Sequence, residues 1–531
     1  MMQNRDKKPG NADKGTAVRS IVIVGGGTAG WITAGVLAAK HNANTTSNTA
    51  DGLKITLVES PDIKPIGVGE GTWPTMRSTL MSMGISETDF MRECDATFKQ
   101  GAKFAKWVTG ADDDFYYHPL MLPQGFTKMD LAPYWHSYAD KISFSEAVCF
   151  QEQICEKGLA PKLITTPEYD SVANYAYHLN AGKFAAFLQK HCTEKLGIKH
   201  TLDNVTEVFS ARNGDIAAVG TMHNGQIEGD LFIDCTGFKS LLLGEHYGVP
   251  FKDCSDVLFI DTALAVQIPY ETEDAAIASH TISTGQQAGW IWDIGLGTRR
   301  GVGHVYSSSH TSQDEAEADL RTYLGSASDN LPVRKIPIRS GHRQLFWKNN
   351  CVAVGLSAGF LEPLEASALV LVELSASMIA EQLPARRDVM DIVANRFNET
   401  FLYRWDRIID FLKLHYILSK RTDNTFWDDN RDSATIPESL QGLMNLWRYR
   451  SPGDLDFTSN NEVFPAASYQ YVLYGMGFRS DFSFSQHQMT EAKLADELFS
   501  KNSLSVQRAA QRLPNNRTLI NKILAHGFQS L

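Results

Sequence analysis

The feature of this sequence that most constrains its fold is a glycine-rich turn near the N-terminus. Gly25-x-Gly27-x-x-Gly30 follows a β-branched run at residues 21–24 and precedes WITAGVLAAK, a stretch of small and apolar helix formers. A buried parallel strand, a glycine turn and a helix in this order let the backbone approach a pyrophosphate, to which the helix N-terminus offers free N–H groups. The order therefore predicts the opening of a doubly wound α/β fold that binds a dinucleotide.

An acidic residue completes this dinucleotide motif. The second predicted strand, residues 54–58, ends at Glu59, where a carboxylate can accept hydrogen bonds from the adenosine ribose hydroxyls. A polar loop at residues 41–50 accounts for the wide separation between the glycines and this acid. A lone GxGxxG is weak evidence because glycine turns also serve ordinary packing, but the strand, helix and acid together favour a cofactor site.

A flavin is favoured over a nicotinamide as the dinucleotide. A second strand and glycine turn, residues 352–359, lies far downstream, as in folds whose chain returns to the flavin. Residues 295–303 are also glycine-rich, but they contain Arg299 and Arg300 and lack the GxGxxG spacing. The sequence has no P-loop and no second dinucleotide motif, so we expect FAD to arrive already reduced by a separate NAD(P)H-dependent flavin reductase, a transient partner.

Composition excludes several classes of protein. A chain of 531 residues with 43% hydrophobic and 21% charged residues is typical of a globular protein with two or three lobes. Its net charge of −11, without clustered Lys and Arg, argues against a nucleic-acid partner. Seven scattered cysteines without zinc-site spacing indicate reduced thiols in a cytoplasm and no metal site. The sequence has no apolar run of about 18 residues and no signal peptide, so we expect no membrane association.

Patterns further along the chain predict an accessory sheet and two long helices. Strand-like patterns at 205–208, 217–222 and 230–234 predict a three-stranded accessory sheet that returns to the main sheet. A stretch that is apolar all round, residues 364–383, predicts a core helix, and residues 387–419 predict a long amphipathic helix.

These patterns divide the chain into a cofactor domain and a substrate lobe. Residues 90–165 are irregular and aromatic, which indicates an insertion that leaves the sheet. The expected divisions are a disordered leader (1–18), the first part of the FAD-binding domain (19–110), an insertion contributing to the substrate lobe (111–170), the rest of the FAD-binding domain with the accessory sheet (171–385), and a mostly helical substrate-covering lobe (386–531).

Four segments taken together resemble the two-component tryptophan halogenases, which are flavin-dependent enzymes. They are GGGTAGW at 25–31, GVGEGTWP at 67–74, GWIWDIGL at 289–296 and LEPLEAS at 361–367. The first is shared with most flavin enzymes, whereas the second and third are fairly specific to this family. The resemblance, which runs from about residue 19 to about residue 480, implies a glutathione-reductase-like FAD domain with an accessory sheet and a mostly helical substrate lobe.

The resemblance also implies a chemistry and two catalytic residues. The family uses FADH2, dioxygen and chloride or bromide to make hypohalous acid, which travels through a tunnel to tryptophan or another electron-rich aromatic. Lys99, followed by GAKFAKW after Gln100, matches the lysine that meets the hypohalous acid, although a solvated surface lysine is the simpler interpretation without the family pattern. Glu365 matches the carboxylate beside it, which would stabilise the cationic ring intermediate. Glu362 is interpreted as an acid at the helix start, favoured by the helix dipole.

Further residues are assigned by the same resemblance. Ser367 and Ala368 match the backbone that binds halide at a helix N-terminus. His118 matches a histidine that stacks on the substrate, although a packed loop histidine is equally compatible with the sequence. The segment SYQYVLYGMGF, residues 468–478, matches the part of the family that covers the substrate. The positions that match flavin contacts are Gly26, Ala29, Ser60, Ile63, Glu70, Leu356 and Leu369, in addition to the glycine motif.

Three departures from the family pattern concern the substrate more than the chemistry. Trp290 and Trp292 occupy the family's WxWxIP signature, close to the flavin and the tunnel and assigned to the substrate side, but Gly295 replaces its proline. Two tryptophans spaced by two also fit one face of an ordinary strand. Ala366 and Ala368 stand where tryptophan-specific members carry serine and glycine. A substituted indole, an indole within a larger molecule and a phenol therefore remain open as substrates.

Two other functions are compatible with the fold. An FAD-dependent aromatic monooxygenase shares the cofactor domain, but Lys99, Glu365 and the WxWxI segment argue against it. A non-catalytic flavin-binding protein is disfavoured because a drifted site is expected to lose one member of the lysine and glutamate pair. The sequence leaves a homodimer open.

Because the chain carries one dinucleotide motif, we expect the purified protein to bind FAD weakly and not to reduce it with NADH. Adding a flavin reductase should start NADH-dependent reduction of the flavin. The reduction is measured, in the absence of oxygen, as the loss of flavin absorbance. Rapid stoichiometric reduction by NADH in the absence of a reductase would contradict this expectation.

Overall fold

The computed structural model describes residues 17–42, 52–63, 69–457 and 462–529. The predicted leader (1–18), apart from its last two residues, and most of the predicted loop at 41–50 lie outside the described residues. The first two positions of the GVGEGTWP segment do as well.

The elements of the described chain are numbered here from the N-terminus. The strands are β1 (Ser20–Val24), β2 (Lys54–Glu59), β3 (Glu70–Gly71), β4 (Thr97–Lys99), β5 (Gly101–Ala105), β6 (Phe115–Pro119), β7 (Ala176–Leu179), β8 (Lys199–Leu202), β9 (Val205–Ser210), β10 (Ile216–Thr221), β11 (Gly225–Glu228), β12 (Leu231–Asp234), β13 (Phe251–Asp253), β14 (Thr262–Pro269), β15 (Thr281–Gln286), β16 (Gly289–Gly295), β17 (Arg299–Tyr306), β18 (Arg334–Pro337), β19 (Gly341–Arg343), β20 (Trp347–Lys348), β21 (Cys351–Ala353) and β22 (Gly359–Phe360). The α-helices are α1 (Thr28–Asn42), α2 (Thr75–Ser82), α3 (Glu87–Glu93), α4 (Ala132–Trp135), α5 (Phe144–Val148), α6 (Gln151–Glu156), α7 (Ala181–Glu194), α8 (Gln313–Leu324), α9 (Ser367–Glu381), α10 (Arg387–Ile417), α11 (Thr425–Arg431), α12 (Glu438–Trp447), α13 (Ala466–Gly475), α14 (Ala492–Arg512) and α15 (Asn516–His526).

A six-stranded sheet carries the glycine-rich turn. Its strand order is β20-β21-β12-β1-β2-β8, and all neighbours are parallel except the edge pair β20 and β21. Residues 21–24 of the central strand β1 are buried, as expected for an uninterrupted β-branched run. Helix α1 leaves this strand and packs against α7 and α9. The prediction of a doubly wound α/β fold is confirmed.

A second sheet has seven strands, in the order β18-β14-β17-β16-β15-β5-β6. Its residues line part of the cavity described in the next section. Its strands β5 and β6 come from residues 90–165, so the prediction that this region is irregular is wrong, although none of its strands joins the six-stranded sheet. The strand FYYHP is buried at four of its five positions. Burial on both faces removes the alternation of polar and apolar residues by which a strand is recognised in sequence.

The accessory sheet has three strands, as predicted, but its third member is different. Strands β9, β10 and β11 form it, whereas β12, at residues 231–234, belongs to the six-stranded sheet. Strand β12 is fully buried between β1 and β21, and β11 is largely exposed. The prediction for 230–234 was wrong because an apolar run is typical of a central parallel strand and not of an exposed accessory sheet.

The helices toward the C-terminus follow the sequence patterns with one important shift. Helix α10 spans 31 residues, within two residues of the predicted end. Helix α9 begins at Ser367 and not near Leu364, because Glu365 and Ala366 have φ of 63° and 55° in the left-handed region. In the described part of the chain, no helix is long and apolar enough to cross a membrane.

A buried ion pair ties the start of α3 to the loop before β7. Lys162 Nζ lies 3.0 Å from Glu87 Oε2, and both side chains are fully buried. The hydroxyls of Tyr175 and Tyr177 donate to Glu87 Oε1 at 2.6 and 2.7 Å, and Tyr169 N donates to Oε2 at 2.7 Å. Donors from Lys162, Tyr169, Tyr175 and Tyr177 thus replace the hydration that the carboxylate loses on burial.

We expect Lys162→Met to destabilise the protein by about 3 kcal/mol, because it leaves the Glu87 charge buried without its cation. The matched control is Lys103→Met, which breaks a partly exposed pair with Glu156 and should cost less than about 1 kcal/mol. Urea unfolding followed by tryptophan fluorescence measures both. Equal losses in the two variants would show that the buried pair is not a special source of stability.

Candidate functional site

One cavity of about 570 Å³ connects the glycine-rich turn to Lys99 and Glu365. Its walls come from the first turn of the six-stranded sheet, from the seven-stranded sheet and from the start of α9. The predicted site residues that line it are Gly25, Gly26, Gly27, Ala29, Glu59, Ser60, Ile63, Glu70, Lys99, Trp290, Trp292, Leu356, Glu365, Ser367, Ala368 and Leu369. Gly30 and His118 are not among the lining residues.

The glycine-rich turn leaves room for a phosphate group. Gly25 has φ of 114°, and a Cβ there would lie 2.1 Å from the carbonyl oxygen of Cys235. A Cβ on Gly30 would lie 2.0 Å from the Gly25 carbonyl oxygen, which explains why Gly30 packs inside the turn and not in the cavity. At Gly27 the space around a Cβ is open. A turn closed on the protein side and open at Gly27 fits the pyrophosphate of a dinucleotide.

Glu59 stands at the end of β2, next to the glycines. A Cβ on Gly26 would lie 2.1 Å from the Glu59 carboxyl carbon, so this glycine lets the acid approach the turn. Burial raises the pKa of Glu59, while His200 on β8, at 3.0 Å, opposes that rise. His200 was not predicted from the sequence, since only the pairing of β2 with β8 brings it here.

Lys99 lies on β4, and its side chain is 3% exposed. Nζ donates to the carbonyl of Thr72 at 3.3 Å, and among the described residues no carboxylate lies within 4 Å. Burial lowers its pKa to about 8, although Glu365 acts in the opposite direction. A Cβ on Gly71 would lie 3.4 Å from Nζ and 3.3 Å from Ala366 Cβ, so this glycine admits the lysine beside the turn that carries Glu365. The interpretation as a solvated surface lysine is wrong.

Glu365 is held by two histidines and one tryptophan. His118 Nδ1 lies 2.7 Å and His415 Nε2 3.4 Å from its Oε1. Trp73 Nε1 donates to its backbone carbonyl at 2.9 Å. Burial opposes ionisation, but the two histidines outweigh it and hold the pKa of Glu365 well below its usual range. Trp73 belongs to the GVGEGTWP segment, whereas His415, near the end of a long helical pattern, had no signal in the sequence.

His118 is a partner of Glu365 in this structure. Its side chain is buried, and its second ring nitrogen, Nε2, lies 2.9 Å from Ser468 Oγ. Both nitrogens are therefore engaged, and Phe411 contacts the ring edge-on at 5.7 Å between centroids. Its assignment as a residue that stacks on substrate stays a prediction.

Glu362 takes part in a separate network. It lies five residues before the first residue of α9, so its interpretation as an acid at the start of that helix is wrong. Both of its oxygens lie 2.8 Å from the hydroxyl of Tyr416. Trp290 Nε1 lies 3.1 Å from that hydroxyl and 3.5 Å from Glu362 Oε2. This buried acid connects the strand that carries Trp290 to α10.

The two tryptophans of β16 share the face that lines the cavity, while Gly295 lies on the opposite face. Strand periodicity places Trp290, Trp292 and Ile294 on one side, and all three line the cavity. A Cβ on Gly295 would lie 2.9 Å from Ile277 Cγ2 and 3.1 Å from the Tyr270 hydroxyl. The departure from the family's proline is therefore a change in strand packing behind the cavity wall.

Ser367 and Ala368 line the cavity at the N-terminus of α9, a helix of 15 residues. The first N–H groups of a helix have no intrahelical partner and attract anions. These two residues line the same cavity as Glu365, so an anion bound at them would lie inside the cavity.

The chain is similar to known proteins along most of its length. The sequence model of the family described as tryptophan halogenase matches residues 20–492. The 7-chloro-L-tryptophan 6-halogenase KtzR of Kutzneria sp. (strain 744) is 34% identical over 478 residues, which cover 86% of this chain and 90% of that protein. A crystal structure of tryptophan halogenase from Shewanella frigidimarina NCIMB 400 is 50% identical, covers 97% of this chain and 99% of its own, and has a TM-score of 0.94. Tar14, a tryptophan C-6 flavin-dependent halogenase (chlorinase) from taromycin biosynthesis, is 32% identical, with 96% and 100% coverage and a TM-score of 0.88.

Glu362→Gln tests the buried acid beside Trp290, because glutamine has the same shape and cannot ionise. Burial raises the pKa of Glu362 to about 7 from 4.5, so between these values the folded protein retains a proton that the unfolded chain releases. This group therefore lowers wild-type stability as pH rises through that window, and the variant lacks the effect. We expect the variant to gain about 2–3 kcal/mol relative to wild type between about pH 5 and about pH 8, measured by urea unfolding. A difference in unfolding free energy between Glu362→Gln and wild type that does not change with pH would contradict this expectation.

Proposed function

Because this chain belongs to the tryptophan halogenase family of flavin-dependent enzymes, we propose that it uses FADH2, dioxygen and chloride or bromide to halogenate tryptophan or another indole. The halogen is delivered as hypohalous acid directed by Lys99. The observation that carries the proposal is that Lys99 and Glu365, both buried, line the same cavity as the glycine-rich turn.

The cofactor end of the cavity would hold FAD by its pyrophosphate and ribose. The glycine-rich turn offers open space at Gly27 for the pyrophosphate, and Glu59 would accept hydrogen bonds from the ribose hydroxyls. When bound in its reduced form, FAD supplies two electrons to dioxygen, the halide supplies two more, and hypohalous acid and water result. A separate flavin reductase would supply the reduced cofactor.

The halide is proposed to bind the backbone N–H groups at Ser367 and Ala368. These groups lie at the positive end of the α9 dipole, where an anion gains from both hydrogen bonds and the dipole. Lys99, which lines the same cavity, adds positive charge there when it is protonated.

Lys99 is proposed to direct the halogen onto the ring. Since its pKa lies near 8, both the ammonium and the free amine are accessible in the neutral range. The ammonium can donate a hydrogen bond to hypohalous acid, and the amine can form a haloamine. From hypohalous acid, the carbon–halogen bond forms as the oxygen–halogen bond breaks, and the ring proton and the hydroxide leave as water. From the haloamine, whose formation has already released water, the nitrogen–halogen bond breaks and the ring proton returns to the amine of Lys99. Glu365, held ionised, would stabilise the positive charge that develops on the ring.

The cysteines support a reducing, cytoplasmic location for this enzyme. All seven are unpaired, and six of them are buried. Burial raises the pKa of the Cys94, Cys149 and Cys155 thiols, so they are poor nucleophiles and unreactive toward oxidants.

Lys99→Met separates formation of the oxidant from its use, because methionine keeps the apolar stem and removes the donor. We expect oxidation of FADH2 by dioxygen to continue near its normal rate, while halogenation of an accepted indole falls by several orders of magnitude. Glu365→Gln should reduce halogenation less severely, since the amide keeps the shape and part of the dipole. Stopped-flow absorbance and product mass measure the two steps.

The control is Lys103→Met, which alters a lysine of the same segment outside the cavity and should leave both steps unchanged. Folding of each variant is checked by circular dichroism. Normal halogenation by folded Lys99→Met would remove Lys99 from the mechanism, and a joint loss of flavin oxidation and halogenation would place it at the flavin.

A further inference from the structure

Two histidines from different elements converge on the same oxygen of Glu365. His118 comes from β6 and His415 from the last turn of α10, and both contact Oε1. The carboxylate is also a lining group of the cavity. The contact from His118 Nδ1, at 2.7 Å, is a hydrogen bond, and His415 Nε2 approaches the same oxygen to 3.4 Å.

A tyrosine determines which nitrogen of His415 carries the proton. Tyr116 Oη lies 2.6 Å from His415 Nδ1, and both side chains are buried. Burial lowers the pKa of His415, although Glu365 opposes this, so the ring is neutral and carries one proton. A carboxylate can only accept, so the proton belongs on Nε2, which faces Glu365. Nδ1 is then the acceptor, and the Tyr116 hydroxyl donates to it.

The His415 ring is confined on its other sides by aromatic groups. Phe104 lies 4.7 Å and Phe411 5.3 Å from it between ring centroids, and Trp107 lies 6.0 Å away. Phe104 also stacks on Tyr116 at 4.8 Å. These rings keep the imidazole and the phenol in one arrangement and exclude water from the Nδ1 side.

We propose that His415, oriented by Tyr116, is a positioning residue for Glu365: its Nε2–H faces Oε1 at 3.4 Å, and this contact holds the carboxylate in one orientation. The effect of this contact on halogenation rests on the proposed function, whereas the contact itself does not. His415 touches neither the cavity nor a ligand and acts only through the carboxylate.

The charged and titratable groups that face Glu365 are few. They are Lys99 on β4, His118 and Tyr116 on β6, and His415 on α10. Glu362, on the same segment, is turned to Tyr416. Of these, His118 and His415 hold the pKa of Glu365 down, so removing His415 raises it. The carboxylate is then protonated at a higher pH, and halogenation is lost earlier as the pH falls.

The direct test is nitrogen-15 NMR of histidine side chains in the flavin-free protein, which does not depend on activity. His415→Gln identifies the resonances of His415 by their loss. We expect an unprotonated Nδ1 and a protonated Nε2 in the wild type, and a change in this pattern in Tyr116→Phe. A protonated Nδ1 in the wild type would overturn the proposal.

The functional test compares His415→Leu with His415→Gln, whose amide N–H reaches the position of Nε2. With FADH2 oxidation unchanged, we expect halogenation by His415→Leu to fall about ten- to a hundred-fold, the effect typical of a group that orients a reactive ligand. The loss should deepen as the pH falls, because the pKa of Glu365 is raised in the variant, and glutamine should restore most of the rate. A loss that is equal at all pH values, or no recovery with glutamine, would assign His415 a purely structural role.

The control variant is His304→Leu, which removes an equally buried histidine whose Nδ1 bonds only the Ala316 carbonyl at 2.9 Å. It should leave the pH profile unchanged. Should the wild type fail to halogenate any indole, the proposed function fails, while the NMR result still decides whether His415 donates to Glu365. If His415→Leu does not fold, Tyr116→Phe carries the pH comparison with a smaller expected effect.

Discussion

The site depends on how two buried carboxylates, three residues apart, are supplied with hydrogen bonds. A carboxylate taken out of water is neutralised unless donors replace its hydration. Glu365 receives two imidazoles and stays ionised, whereas Glu362 receives a phenol and an indole and titrates near neutrality. Equal burial thus produces two different acids, and the difference lies entirely in the partners.

One partner of each acid comes from the last turn of α10. His415 faces Glu365 and the adjacent Tyr416 faces Glu362. Consecutive helical residues point in directions about 100° apart, so the two acids must diverge to meet them. The left-handed backbone at Glu365 and Ala366 produces this divergence, at a cost of about 1–2 kcal/mol for each residue. The bond from Trp73 to the Glu365 carbonyl is one contact that offsets it.

The cavity joins parts of the molecule with different physical demands. At the glycine-rich turn, backbone must come close to a ligand, and side chains are excluded by contacts near 2 Å. At the other end, Lys99 is buried on the narrow sheet of β3, β4 and β7. Between them runs the tryptophan face of β16. This arrangement fits the proposal that the oxidant forms at the cofactor end of the cavity and is used at the end that holds Lys99.

The sequence by itself determined the parts of this protein that follow from local chemistry. A β-branched run, a glycine turn and an acid at the end of the next strand predict the cofactor fold, because each requirement concerns neighbouring residues. The motifs around Lys99 and Glu365 likewise identified residues that line the cavity. Local patterns also predicted α10 to within two residues.

Only the tertiary structure decided which residues surround those groups. His415 and Tyr116 are 299 residues apart, and His200 meets Glu59 only because β8 pairs with β2. Strands buried on both faces, such as β6 and β12, lose the alternation that would place them in the correct sheet. The start of α9 was misplaced because an apolar pattern does not report a left-handed turn. Hydrogen-bond partners and backbone handedness depend on three-dimensional packing, and one-dimensional periodicity carries no record of either.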